Sequence, residues 1–137
     1  MSPQTKRNIE KAMAVEALAS AKYTRFAACA RTNENPELGR LFQTTADVDR
    51  TAHFRKEFDL DAGPCEDRQN LESAIQDKES LIEMYGEFVR QAEAAGDYDT
   101  ALLFDGIRQD EQVQAARFRR ALDESRVVLH RECAVQA

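Results

Sequence analysis

Tryptophan is absent from this 137-residue chain, and glycine (5) and proline (3) are scarce. So few turn formers exclude a turn-rich β fold and favour long helices. No run approaches 18 consecutive apolar residues, which excludes a helical membrane span. The opening Met1-Ser2-Pro3-Gln4-Thr5-Lys6-Arg7 lacks the apolar core of a secretory signal, so a cytoplasmic location is expected. Cysteine is represented only by Cys29, Cys65 and Cys133, at unrelated spacings. This excludes a disulfide framework, a CxxC metal knuckle and a dithiol redox pair; free thiols are expected, with Cys65 beside Gly63-Pro64 the most accessible. An excess of positive charge is missing too. With a net charge of −6, the chain has no broad basic face for phosphate, and Arg117, Arg119 and Arg120 read as a solvated helix face. No Ser-His-Asp, Cys-His or phosphate-cradling glycine arrangement appears, which leaves hydrolase and nucleotide-binding readings without support.

What is present is 42% hydrophobic and 32% charged residues, the balance of a globular domain, and the length suits a single domain over 1–137. Helical periodicity runs through about 5–31, 36–57, 67–95 and 98–131. Asn33-Glu34-Asn35-Pro36 separates the first two stretches, Pro36 suiting a first helical turn. Gly63-Pro64 marks the middle connection, and Gly96 stands where a helix C-cap favours glycine.

Displacing the sequence by 62 positions superimposes Asn8, Ile9, Ala12, Tyr23, Phe26, Ala30, Leu41 and Phe42 on Asn70, Leu71, Ala74, Tyr85, Phe88, Ala92, Leu103 and Phe104. Any two amphipathic helices share a period, but recurring Asn, Tyr and Phe identities point to a duplicated helical hairpin, about 5–57 and 67–131. A hairpin alone exposes its apolar stripe. Two packed face to face through a pseudo-two-fold axis make an all-α, ferritin-like four-helix bundle. The connection near Phe58 to Glu66 reaches only roughly 30 Å when extended, so exchange of hairpins between two chains is an alternative to a crossover within one, and a homodimer is expected.

Stepping by three and four along the first stripe gives Ile9, Ala12, Met13, Glu16, Ala19, Ser20, Tyr23 and Phe26. The second stripe passes Leu38, Leu41, Phe42, Thr45, Asp49 and Ala52, with His53 at its margin. The fourth passes Phe104, Ile107, Glu111, Gln114, Phe118 and Leu122. Three acids therefore face inward, two of them, Asp49 and Glu111, related by the repeat. Buried carboxylates must be paired, protonated or bound to a cation. Four-helix carboxylate proteins supply that cation as two iron or manganese ions, held by one Glu on each of two helices and Glu-x-x-His on the other two.

Over nearly its whole length the chain resembles the rubrerythrin family, ferritin-like di-iron proteins that reduce peroxide. The resemblance runs through Asn8-Ile9, Glu16, Tyr23-Thr24, Phe26-Ala27, Arg40-Leu41-Phe42, Glu83-Met84-Tyr85, Glu87-Phe88 and Leu103-Phe104. It implies metal-ligand roles for Glu16, Asp49 and Glu111, and phenols near the metals from Tyr23 and Tyr85. Both tyrosines also read as core aromatics. The rubredoxin module of many relatives is missing, so any redox activity would draw on an external electron donor.

Departures from the family pattern are concentrated at the site. Ala52 and Gln114 stand at the histidine positions. The third stretch, 67–95, lacks one residue before the Tyr of Glu-Met-Tyr and can be registered in two ways: by the repeat its ligand position is Lys78, whereas counting back from Tyr85 gives Asp77 and Ser80. An ammonium at 78 would neutralise charge that metal ions neutralise in relatives. Asp49 and His53 at i, i+4, with Glu16 or Glu111, could hold a single divalent ion, although His53 also reads as a partly exposed hydrogen-bonding residue. His130, near the C-terminus, reads as incidental. Two functions follow: a metal-poor, non-catalytic bundle whose site has decayed around Lys78, or a rubredoxin-free oxidoreductase reducing hydrogen peroxide at a single-metal or di-metal (iron or manganese) centre. Iron storage is weaker, because nothing in the chain signals shell assembly.

Overall fold

The computed structural model describes the backbone of residues 1–63 and 65–136 and the side chains of 1–63 and 65–125. His130, Cys133 and Pro64 lie outside the described side chains. The architecture is all-helical, with no strand among the described residues. Helix α1 is Pro3–Thr32, α2 Pro36–Val48, a π-helical turn Asp49–Phe54, α3 Arg55–Asp61, α4 Asp67–Ala95 and α5 Tyr98–Gln136. The chain divides into two compact units, Met1–Pro64 and Cys65–Ala137. Each is a helical hairpin, α1 against α2 with its continuation, and α4 against α5. Among the described residues no helix is long and apolar enough to cross a membrane.

Local chemistry accounts for the helix ends. Ser2 caps α1, its Oγ accepting from the Thr5 N–H at 3.1 Å, with Pro3 in the first turn. Asn35 does the same for α2 through the Leu38 N–H at 3.2 Å. Gly96 ends α4 in the left-handed region at φ 82°, where the glycine hydrogen avoids the clash a Cβ would meet.

In the first hairpin the seam between helices is built from small residues. Ala27, Ala30 and Ala46 are buried, and a Cβ placed on Gly39 would come within 3.2 Å of Arg31 Cγ. Ser20, also buried, donates its hydroxyl to the Ala46 carbonyl at 3.0 Å, a cross-link between α1 and α2. The second hairpin buries Ala92, Ala101, Ala115 and Leu122. Two helices in contact shield only this narrow seam. Several residues of the expected interior stripe therefore stand outside it: Leu41 and Leu103 are 62% and 60% exposed, and Phe26 and Leu38 are 39% exposed.

The aromatic groups recur in matching places. Tyr23, Phe26 and Phe42 form a cluster with ring centroids 5.4 to 6.1 Å apart. Tyr85, Phe88 and Phe104, each 62 positions later, form another with centroids 5.6 to 6.1 Å apart. Such tilted and edge-on contacts suit the ring quadrupole and join the two helices of each hairpin.

Candidate metal centre

Helix α1 carries Glu16 at mid-length, and the π turn that follows α2 carries Asp49 and His53. One donor atom from each of the three lies within 4.8 Å of the others. His53 Nδ1 is 3.3 Å from Asp49 Oδ1 and 3.4 Å from Glu16 Oε1. The side chains grade from Asp49 at 12% exposed, through Glu16 at 28%, to His53 at 50%. A site with one deep and one open side results.

The π turn explains why histidine reaches this place. A π turn fits one extra residue into a helix, rotating everything beyond it by about 100° relative to a continuous α-helix. Within it the Thr51 hydroxyl donates to the Asp47 carbonyl at 2.6 Å, as Thr24, Thr32 and Thr45 donate to the carbonyl four residues back in ordinary α-helix. Ala52 was expected at the ligand-bearing step after Asp49. With the added residue, His53 approaches the acids instead.

The second hairpin solves its charge differently. Lys78 Nζ lies 2.7 Å from Glu111 Oε2, with the side chains 21% and 14% exposed. That oxygen is buried and takes no hydrogen bond, so the ammonium answers it by charge alone. Asp77 and Ser80 are exposed on α4, and Gln114 is exposed on α5. Position 115, 62 beyond His53, is the fully buried Ala115. Glu111 is thus held by an ammonium, and Asp77 is not brought to it. Nearby, Arg119 Nη2 donates to Glu79 Oε1 at 2.7 Å, tying α5 to α4 on the solvent side.

Donor spacing in the first hairpin bears on which ions fit. Nitrogen and oxygen ligands at about 2.0–2.1 Å around a tetrahedral ion are separated by about 3.3–3.4 Å from one another. The two donor separations at His53, 3.3 and 3.4 Å, match that edge. One imidazole and two carboxylates suit zinc, manganese or iron, and three protein ligands leave coordination positions for solvent. The second hairpin fits no ion at Glu111, whose buried oxygen already faces Lys78.

Tyr23 and Tyr85 are half-buried within their aromatic clusters. A separate cleft of about 700 Å³ between α1 and α2 is lined by Ser20, Thr24, Gln43, Asp47 and Phe54, and includes none of the three donors. Cys29 and Cys65 are free and exposed. Of the site residues, the π turn alone escaped sequence reasoning; the Thr51-x-His53 neighbourhood, with an acid four residues before the histidine, was its available signal. No known protein family matches the chain, and neither does any curated protein.

Proposed function

We propose that this chain is a rubrerythrin-like helical protein that binds one divalent transition-metal ion, through Glu16, Asp49 and His53, and uses Lys78 where relatives would use a second ion. The observation that carries the reading is the convergence of three donor atoms within 4.8 Å, from two helical segments that the Ala-rich seam holds side by side. Two carboxylates and an imidazole this close together suit a cation, because carboxylates of like charge repel one another. The Lys78–Glu111 pair supports the second clause, since an ammonium removes the charge that would otherwise attract an ion.

In this reading the ion's charge would neutralise Glu16 and Asp49, and His53 Nδ1 would set its preference for borderline metals over calcium or magnesium. Asp49, the most buried donor, anchors the ion, while the exposed imidazole leaves an approach from solvent. Binding is the function assigned here. Peroxide reduction, which the resemblance implies, would run at one ion or two. Metal analysis after growth with iron and manganese, with a peroxide assay on the same samples, distinguishes them: close to one ion per chain without peroxide turnover supports the reading, and peroxide turnover with one or two ions would replace it with the oxidoreductase.

A further inference from the structure

The π turn does more than aim a ligand, because what lies beyond it is weakly anchored. Segment α3, Arg55–Asp61, has no buried residue. It holds a stacked pair, Phe54 and Phe58, with ring centroids 6.1 Å apart, and Phe58 and Leu60 are 50% and 66% exposed. It also holds a defect. Glu57 Oε2 is buried with no hydrogen-bond partner, an arrangement that favours any rotation returning the carboxylate to water. Converting the π turn to ordinary α-helix would supply that rotation, about 100° for every residue downstream. It would also carry His53 away from Glu16.

Resting on the metal-binding reading above, we propose that the ion acts as a register switch: it selects the π form of residues 49–54, and its loss lets the segment through Asp61 relax towards α-helix, turning Phe58 and Leu60 to a different side. A ligand shifts such an equilibrium by the difference in its affinity for the two forms. Here the difference is structural. Glu16 lies on α1, outside the segment that turns, whereas His53 lies inside it, so a change of register moves His53 relative to Glu16, and the π form is one in which the three donors stand together. Residues 62 and 63, outside any helix after Asp61, would absorb the residue gained or lost.

The test is amide hydrogen exchange by mass spectrometry on the full chain, with zinc chloride, with manganese chloride and with chelator, alongside a calorimetric titration of the same samples. Bound metal should slow exchange in peptides covering 49–61 by about tenfold, while peptides from α4 stay unchanged. Deleting Thr51 removes the extra residue. That variant should keep its helical circular dichroism and show no metal-dependent change over 49–61, whether or not it retains affinity. Should the deletion unfold the chain, His53→Ala, which keeps the length and removes the donor inside the turning segment, should abolish the metal-dependent change over 49–61, and its persistence there would overturn the switch. Calorimetric binding with unaltered exchange over 49–61 would overturn the switch and leave the metal site standing. A metal effect of the same size in the helical deletion variant would also overturn it, and absence of binding in the wild-type chain would remove both.

Discussion

The two hairpins carry the same aromatic clusters in the same relative places, yet they resolve their inward charge in opposite ways. Residues 1–64 hold 10 Lys and Arg against 9 Asp and Glu, a net +1, whereas residues 65–137 hold 9 against 16, a net −7. The nearly neutral hairpin nevertheless gathers two carboxylates around an imidazole, and the acidic one neutralises its single buried acid with Lys78. Net charge therefore says little about the site. Three substitutions at repeat-related positions create the difference, Glu16 against Lys78, Asp49 against Glu111, and His53 against Ala115. The second hairpin supplies its cation from the chain, as Lys78, and under the proposed function the first would take one from solution.

This contrast can be broken from either side. The largest effect is expected at the ligand set: His53→Ala should weaken zinc or manganese binding at least about 100-fold by calorimetry, because two carboxylates alone lose the nitrogen donor that favours these ions. On the other side, Lys78→Ala leaves Glu111 without its counter-charge. Breaking a fully buried pair costs about 3–5 kcal/mol, and partial exposure of both side chains reduces this to about 2 kcal/mol, read as a lower urea midpoint. Combining Lys78→Met with Glu111→Leu should recover most of that loss, since no buried charge remains.

Smaller effects sharpen the comparison at the seams. Ser20→Ala should destabilise the first hairpin by about 1 kcal/mol, by removing the hydroxyl's bond from α1 to the Ala46 carbonyl, which keeps its backbone donor from Asp49. The repeat places Ile82 at the corresponding site, so the second hairpin has no equivalent bond to lose. The smallest effect belongs to Asp105, whose carboxyl is held below the usual carboxylate range by hydrogen bonds from Arg108, with lesser support from Gln109. A depressed folded pKa stabilises above the unfolded value and is lost as pH falls through the folded one. Arg108→Ala should therefore raise the Asp105 titration midpoint by NMR and flatten the acid limb of the stability profile, only slightly because the group is exposed.

The boundaries of this fold were legible because they are local. Pro36, Gly96 and the span 67–95 all announced themselves through backbone chemistry that acts within a turn. Position 78 was legible through the repeat, which placed a lysine where a carboxylate would face Glu111. The π turn was not, because a periodicity of 3.6 has no means of showing one inserted residue, and the segment read as plain helix from 36 to 57. The grouping of Glu16, Asp49 and His53 was legible all the same, because residues at i, i+4 stand beside each other on a helix. Exposure of Leu41 and Leu103 was hidden for another reason: a stripe of apolar spacing marks a face for burial, but two helices alone cover only their mutual seam.

Elemental analysis of the purified chain, repeated for Asp49→Asn and Glu111→Gln, bears most directly on the asymmetry. One ion per wild-type chain, lost with Asp49→Asn and kept with Glu111→Gln, is the expected result. Two ions per chain, or equal loss from both variants, would contradict it.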